Sequence, residues 1–198
     1  MEMQALLKDI AQCRLCAAEL PCGPRPVVRA SAGSSIVIIG QAPGRLVHES
    51  GIPWDDPSGK RLRAWLEVDN DSFYNPDHFG IVPMGFCFPG TGKSGDLGPR
   101  PECAPQWHEP LFQQMKQVQL TLLVGRYAQA YYLGKQVPKT LTQTVANFRS
   151  YLPEFLPLPH PSPRNRRWFS KNPWFDQEVL PLLRLRVRSI LGDQPLSC

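Results

Sequence analysis

The chain has 198 residues, of which 42% are hydrophobic and 20% are charged, and its formal net charge is +5. This composition is typical of a folded soluble protein, and the length predicts one domain that spans residues 1–198. No run of about 18 apolar residues could cross a membrane, and the amphipathic, partly acidic start does not resemble a signal peptide, so we expect a cytoplasmic protein without a membrane partner.

Strands are predicted to alternate with helices along the chain. In chain order we expect a helix within 1–18, a loop at 21–34, a strand at 35–39, a helix at 58–68 with Ser58 as its N-cap, a strand at 80–84, a loop at 88–101, a helix at 104–118, a strand at 120–124, a helix at 126–133, a segment at 151–158 that leads into a loop, and a long helix at 173–191. This alternation predicts an α/β fold, a three-layer α/β/α sandwich around a four-stranded, mostly parallel sheet.

Three predicted loops follow strands directly and carry residues that could contact a ligand. They span residues 40–44, 85–89 and 160–163, and the glycines of the first loop would let backbone N–H groups approach a ligand closely. Because parallel strands end at the same edge of a sheet, we expect these loops to line one pocket. Taken alone, a loop of this kind is more often an ordinary turn after a strand.

Three motifs carry a resemblance to a known family. Gly40-Gln-Ala-Pro-Gly44 is followed after six residues by Gly51-Ile-Pro-Trp54, and His160-Pro-Ser-Pro-Arg-Asn165 comes late in the chain. Together they resemble the uracil-DNA glycosylase superfamily, most closely its bacterial and archaeal iron–sulfur branches, families four and five. The resemblance extends over residues 13–165. It implies a hydrolase of base excision repair, a monomer that flips uracil or another deaminated base out of DNA and excises it.

His160 is the residue that the resemblance places at the departing base. The base leaves deoxyribose C1′ as an anion after the nucleotide has left the stack, so catalysis depends on stabilising charge that develops in the transition state. His160 would donate a hydrogen bond to uracil O2, and a neutral imidazole is sufficient if a backbone group holds its other nitrogen. Without the other motifs, a histidine before proline is more often an ordinary loop residue.

The other motif residues are implied to hold the flipped base. Trp54 stands where the family has a stacking Phe, and an indole offers the same flat face, although a core position suits this residue type equally well. The backbone N–H groups of Gln41 and Ala42 would bind a uracil carbonyl. The remaining candidate substrate contacts in the three loops are Gly40, Phe86 and Ser162.

The catalytic acid departs from the family pattern. Family-four enzymes have Glu where this chain has Gln41, and other branches have Asp at the position of Ala42. An amide cannot act as a base, although it can orient a water. Family five uses an Asp shortly before Ser-Gly, so we expect Asp56 to position water or stabilise the cationic sugar, with Asp55 and His48 as alternatives. The two aspartates are also typical of a helix start, where they would interact with the helix dipole.

Two further positions bear on substrate recognition. The family commonly has an Asn that reads the uracil edge four residues before the third cysteine, and this chain has Pro83 there, which predicts relaxed selection among deaminated bases such as hypoxanthine or xanthine. Arg164, with Asn165 beside it, stands where the family inserts a residue into the gap left by the flipped base. The residues expected to contact phosphate are Arg61, Arg63, Arg166, Arg167 and Lys171, although a solvated basic loop is the commoner fate of such a run.

Four cysteines have the arrangement of the family's cluster ligands. Cys13 and Cys16 form a Cys-x-x-Cys motif, and Cys87 and Cys103 form a distant pair. Four thiolates are the natural ligands of a [4Fe–4S] cluster, which would be structural here. A zinc site and a set of buried reduced thiols remain open alternatives. Cys22 and Cys198 fall outside this spacing.

Besides a glycosylase, the sequence leaves two functions open. Because the carboxylate is missing at Gln41, one open function is a protein that binds uracil-DNA, or traps the abasic site, without efficient turnover. A third possibility is a cluster-bearing DNA-binding protein without base chemistry. The mild positive charge permits a polyanionic partner but does not establish one.

Overall fold

The main sheet contains four parallel strands. The computed structural model describes residues 2–93 and 95–192, and within them the strands are β1 (Ile36–Ile39), β2 (Phe79–Ile81), β5 (Leu120–Val124) and β6 (Phe155–Leu158), with β3 (Thr91–Gly92) and β4 (Gly95–Asp96) as a separate antiparallel hairpin. The order of the main sheet is β2-β1-β5-β6, and each neighbouring pair is parallel. The expected α/β sandwich is confirmed, and its main sheet is parallel throughout.

Helices connect the strands and cover the sheet. Their bounds are α1 (Met3–Ala11), α2 (Arg45–Ser50), α3 (Pro57–Leu66), α4 (Asn70–Phe73), α5 (Cys103–Gln114), α6 (Arg126–Leu133), α7 (Leu141–Ala146), α8 (Arg166–Lys171) and α9 (Leu180–Leu191). Short 3₁₀ turns lie at Ala17–Glu19, Gly134–Gln136, Phe148–Tyr151 and Pro163–Asn165, and a π-helical turn lies at Phe175–Val179. No helix within the described ranges is long and apolar enough to cross a bilayer.

The two faces of the sheet form two hydrophobic cores. Side chains alternate along a strand, so Ile36 and Ile38 of β1 point into the core formed with α3 and α9, whereas Val37 and Ile39 point into the core formed with α1, α5 and α6. All four residues are 0% exposed. A strand buried on both faces explains the continuous β-branched run by which it was predicted.

The structure moves several predicted boundaries. The strand expected at 80–84 covers Phe79–Ile81, and the helix expected at 104–118 ends at Gln114. The predicted N-cap Ser58 is wrong, because Asp56 caps α3 by accepting a hydrogen bond from the Gly59 N–H at 2.7 Å. The closing helix begins as a π turn and becomes α-helical only at Leu180.

Candidate active site

A cavity of about 390 Å³ opens at the carboxyl edge of the main sheet. Its walls come from the segments that follow β1, β2 and β6, together with β4. The structure brings the following predicted site residues to this cavity: Gly40, Gln41, Ala42, Trp54, Asp56, His160, Ser162, Arg164 and Asn165. Parallel strands place these residues together although more than one hundred positions separate the first motif from the last.

Phe86 is the predicted substrate contact that the structure places elsewhere. Its side chain is 1% exposed and belongs to the core formed with α1, α5 and α6. Its backbone N–H points toward the Cys103 sulfur at 3.3 Å, and the residue lines a cleft that also contains the predicted cluster cysteines. The expectation that loop 85–89 lines the same pocket as the other two loops is therefore wrong; Pro83 lines it instead.

The first loop and Trp54 are packed against each other. A Cβ atom at Gly40 would lie 2.8 Å from Cζ2 of Trp54, so only glycine leaves room for the indole there. Trp54 itself has a φ of +58°, an uncommon conformation for a large residue. Its carbonyl oxygen accepts a hydrogen bond from Arg63 at 3.2 Å. Trp54 therefore presents a fixed, partly exposed aromatic surface to the cavity.

Asp56 has both a structural contact and a position in the cavity. One carboxylate oxygen accepts the Gly59 N–H and begins α3, with Pro57 at the first helical position. Within the described part of the chain, its second carboxylate oxygen has no hydrogen-bond partner. A Cβ at Gly59 would overlap the carbonyl oxygen of Trp54, so this glycine allows the cap and Trp54 to coexist.

The tautomer of His160 follows from its contacts. The backbone N–H of Ser162 donates to Nδ1 of His160 at 3.2 Å, so Nδ1 is an acceptor and the proton of the neutral ring is on Nε2. The side-chain amide of Asn165 donates to the His160 carbonyl at 2.8 Å and fixes the loop. The His160 ring lies 5.7 Å from the ring of Trp54, measured between centroids.

Burial keeps His160 neutral. Desolvation disfavours the imidazolium and lowers the pKa of His160 below its ordinary value, and the nearby Asp56 carboxylate opposes this shift only in part. At neutral pH the ring therefore presents an uncharged Nε2–H donor. Such a donor can stabilise an anion without first losing or gaining a proton.

The hairpin of β3 and β4 forms a wall of the cavity that the sequence did not predict. Gly95, Asp96 and Leu97 line the cavity, and the side-chain amide of Gln41 donates to the Leu97 carbonyl at 3.0 Å. The guanidinium of Arg164 packs against Gly95, which has a φ of +134°. Two-residue strands are too short for an alternating pattern, so the hairpin was part of a predicted Gly/Pro-rich loop.

The basic residues divide into two groups. Arg164, Arg166, Arg167 and Lys171 are exposed around the mouth of the cavity and on α8. Arg61 and Arg63, which were expected to contact phosphate, make internal contacts instead. Arg61 donates to the Ser162 carbonyl at 3.3 Å, and Arg63 holds the Trp54 carbonyl and the Tyr74 hydroxyl.

A buried histidine supports the wall at Pro83. His108 is 2% exposed, and its Nε2 lies 3.0 Å from the Pro83 carbonyl oxygen while its Nδ1 lies 2.6 Å from the Tyr132 hydroxyl. The carbonyl can only accept, so Nε2 carries the proton and Nδ1 accepts from the tyrosine. Burial lowers the pKa of His108 to about 4, so the ring is neutral.

The alternative acid and base candidates lie outside the cavity lining. Asp55 is exposed and is separated from the cavity wall that Asp56 forms. His48 lies on α2, and its ring packs 5.7 Å from Phe88, measured between centroids. The carboxylate at position 56 is therefore better placed for chemistry in this cavity than either alternative.

The four cluster-pattern cysteines line a second, smaller cleft. Cys13 and Cys16 follow α1, Cys87 lies in the loop after β2, and Cys103 is the first residue of α5. Cys22 is exposed and does not line this cleft, and Cys198 lies outside the described residues. Within residues 2–93 and 95–192, no group of three or more His, Cys, Asp or Glu side chains is arranged to hold a single metal ion.

The chemistry of the cleft suits sulfur ligands of a cluster. Burial, and to a smaller extent the neighbouring thiols, raises the pKa of Cys87 to about 11 and that of Cys103 to about 12. Four thiolates would therefore need a positively charged group between them, as a bound metal provides. Backbone N–H groups of Arg25 and Phe86 bond to these two sulfurs. Nε1 of Trp107, which also lines the cleft, is buried without a partner among the described residues, and a sulfur acceptor would satisfy it.

Taken together, the cavity at the carboxyl edge of the sheet offers an aromatic surface, a neutral imidazole donor, a carboxylate and a backbone loop, with exposed cations at its mouth. These groups suit a flat, polar ring attached to a polyanion. A comparison with known protein families gives a match consistent with this chemistry. Residues 28–184, more than half of the chain, match the model of the uracil DNA glycosylase superfamily.

Proposed function

This chain belongs to the uracil-DNA glycosylase superfamily, and from that membership we propose that it is a monofunctional DNA glycosylase. It would flip uracil into the cavity at the carboxyl edge of the main sheet, which we call the base cavity, hydrolyse the N-glycosidic bond and leave an abasic site, acting as a cytoplasmic monomer. The observation that carries the proposal is the neutral His160, whose Ser162 contact at Nδ1 leaves the Nε2–H free to donate.

His160 would act on the departing base. As the bond to C1′ breaks, negative charge develops on uracil O2, and the Nε2–H of His160 would stabilise it by a hydrogen bond that is stronger in the transition state than in the ground state. The lowered pKa keeps this donor in one protonation state throughout the neutral pH range. The backbone N–H groups of Gln41 and Ala42 would bind a second carbonyl of the base.

Asp56 would act on the sugar and the water. Its carboxylate lines the cavity with one oxygen used by the Gly59 cap, which leaves the other for an attacking water or for the positive charge that develops at C1′. The cap fixes the carboxylate in one orientation, and a fixed charge stabilises the transition state without reorganisation. Asp56 therefore replaces the carboxylate that is missing at Gln41.

Trp54 and Pro83 would determine the base range. The indole would stack on the flipped base, whereas Pro83 lines the cavity without a side-chain donor or acceptor. The edge of the base would then be read mainly by backbone groups and by shape. We therefore propose that uracil is the principal substrate and that hypoxanthine and xanthine are also accepted.

The test is excision of uracil from a labelled oligonucleotide under single-turnover conditions, followed by hot alkali to cleave abasic sites. His160→Ala should lower the rate by about 10²–10³, the range for loss of one transition-state donor, with little change in binding. Asp56→Asn should also slow excision, and because Asn caps a helix as well as Asp does, α3 should stay intact.

Asp55→Asn is the matched control, since Asp55 is exposed and does not line the cavity. It should excise uracil at nearly the wild-type rate. If His160→Ala retains the full rate, the proposed mechanism is wrong. If Asp55→Asn is more damaging than Asp56→Asn, the acidic residue has been assigned to the wrong position.

The alternative function is a protein that binds uracil-DNA or an abasic site without efficient turnover. It is favoured by Gln41, whose amide replaces a carboxylate and is engaged with the Leu97 carbonyl. The same assay separates the two functions. A stable or covalent complex with uracil-DNA and no alkali-sensitive strand would support the alternative.

We further propose that Cys13, Cys16, Cys87 and Cys103 hold a [4Fe–4S] cluster, as in families four and five. When bound, the cluster would supply cross-linking and no redox step, because glycosidic hydrolysis transfers no electrons. These cysteines would join the segment after α1 to the loop after β2 and to the start of α5. The Phe86 N–H would then donate to a ligated sulfur, a contact that tunes such clusters.

Analysis of iron, sulfide and zinc in anaerobically purified protein tests the cluster. We expect iron and acid-labile sulfide in equal amounts and a brown protein. Cys87→Ser should lose the metal, whereas Cys22→Ser, a change at an exposed cysteine outside the cleft, should retain it. A colourless protein with one zinc per chain would show that the same sulfurs hold zinc instead.

A further inference from the structure

An exposed groove of about 690 Å³ lies beside α6, next to the base cavity. We call it the aromatic groove and define it by Pro99, Arg100, Arg126, Tyr127 and Tyr131, which line it. None of these residues belongs to the three sequence motifs, and only Arg100 also lines the cleft that contains the four cysteines. The groove therefore needs an explanation of its own.

The aromatic groove and the base cavity are lined by residues that are near neighbours in the chain. Leu97 lines the cavity and Pro99 lines the groove, so one residue separates the two sites along the chain and their Cα atoms are at most about 7 Å apart. That residue is Gly98, where a Cβ would lie 2.6 Å from the Tyr127 hydroxyl. Glycine at this position thus lets the cavity wall lie directly against Tyr127.

Two aromatic rings face solvent in this groove. Tyr127 and Tyr131 are each 46% exposed, an unusual exposure for two large rings on one helix face. They are four residues apart on α6 and therefore lie about 6 Å apart along the helix axis. This spacing exceeds the 3.4 Å rise of a stacked strand, so the rings suit bases that are splayed apart.

The charge of the groove suits a polyanion. Arg126 is exposed at the start of α6, and within the described part of the chain it has no ion-pair partner. Arg100 is also cationic, although its guanidinium is bonded to Glu102 at 2.7 Å. Exposed aromatic rings interleaved with cationic side chains are the usual arrangement of single-strand binding surfaces.

We propose that the aromatic groove binds a single-stranded flank of the DNA whose flipped nucleotide occupies the base cavity. Bases one or two positions from the flipped nucleotide would stack on Tyr127 and Tyr131, and Arg126 would contact the phosphate between them. The proposal rests on the proposed function for the identity of the strand. It extends that function, because it assigns a preference for substrates that are single-stranded next to the damaged base.

The test measures Kd by fluorescence anisotropy with a uracil-free single strand of about 12 nucleotides, within the usual site sizes of such surfaces. Tyr127→Ala and Tyr131→Ala should each weaken binding about five- to hundredfold. Tyr127→Phe and Tyr131→Phe should retain wild-type affinity, because stacking needs the ring and not the hydroxyl. Arg126→Gln should lower the slope of log K against log salt by about 0.7, the loss of one phosphate contact.

Leu185→Ala is the control for removing an exposed apolar side chain, because Leu185 lies on α9, which covers the other face of the sheet. It should bind as the wild type does, and the circular dichroism spectrum and melting temperature check that every variant is folded. Wild-type affinity in both Ala variants would overturn the proposal while leaving the glycosylase intact, and would leave the groove to another partner such as a protein. Conversely, Tyr-dependent binding without any uracil excision would overturn the proposed function and retain the groove.

Discussion

His108 is the buried histidine whose protonation we expect to weaken the fold in acid. Its pKa is about 4 in the folded protein against an ordinary value of 6.5, because burial disfavours the charged ring. The unfolded chain therefore binds a proton more readily than the folded chain below pH 6.5. The contribution of neutral His108 to the free energy of unfolding is fully present above pH 6.5 and is lost as the pH falls toward 4.

The size of the effect follows from these two pKa values. Between pH 7.5 and pH 5, proton binding to the unfolded chain should remove about 2 kcal/mol of the free energy of unfolding, and about 3 kcal/mol at still lower pH. The loss has a functional consequence, since His108 holds the Pro83 carbonyl at the wall of the base cavity. Protonation of His108 would therefore weaken the contact that supports this wall.

Urea unfolding of the wild type and His108→Gln at pH 7.5 and pH 5 measures the effect. The variant should be less stable at pH 7.5, since it loses the stacking of the ring on Phe86 and Tyr132, but it should lack the contribution of His108 to the acid loss. His160 and the other titrating groups are present in both proteins and cancel in the comparison. Equal losses in the two proteins would refute the assignment of a neutral, buried His108.

Three further predictions concern the base cavity. Arg164→Ala should slow excision from duplex DNA more than from single strands, because only a duplex leaves a gap to fill; equal slowing in a single-turnover assay would argue against insertion. Gly59→Ala should abolish excision and lower the melting temperature, because its Cβ would overlap the Trp54 carbonyl, whereas Gly192→Ala, at a left-handed residue with no atom within 4 Å, should cost only about 1 kcal/mol of backbone strain. Trp54→Phe should retain most of the excision rate and Trp54→Ala should lose it, and equal rates would show that stacking is not required.

The strand pattern and the first motif could be predicted from the sequence, because both are local. The β-branched run at 35–39 and the run at 120–124 can be buried on both faces only in a covered parallel sheet, and the structure has strands at Ile36–Ile39 and Leu120–Val124. Because strands alternate with helices, the loops that follow the strands lie together at the carboxyl edge of the sheet, where ligands bind. Gly40 and Trp54 are close together in the chain, so the spacing of their motifs could be recognised in the sequence. In the structure both residues line one cavity.

Contacts between segments that are distant along the chain could not be predicted from the sequence. Phe86 and Pro83 lie three positions apart in one loop, yet only their packing decides that the first is buried beside Cys103 and the second faces the base cavity. Two-residue strands give no periodic signal, so the hairpin that carries Asp96 was predicted as a loop. The neutral form of His160 is likewise a tertiary property, because its pKa depends on burial and on the charge of Asp56, which is 104 positions away in the chain. Desolvation and Coulomb interactions act through space, and a sequence specifies them only once the chain has folded.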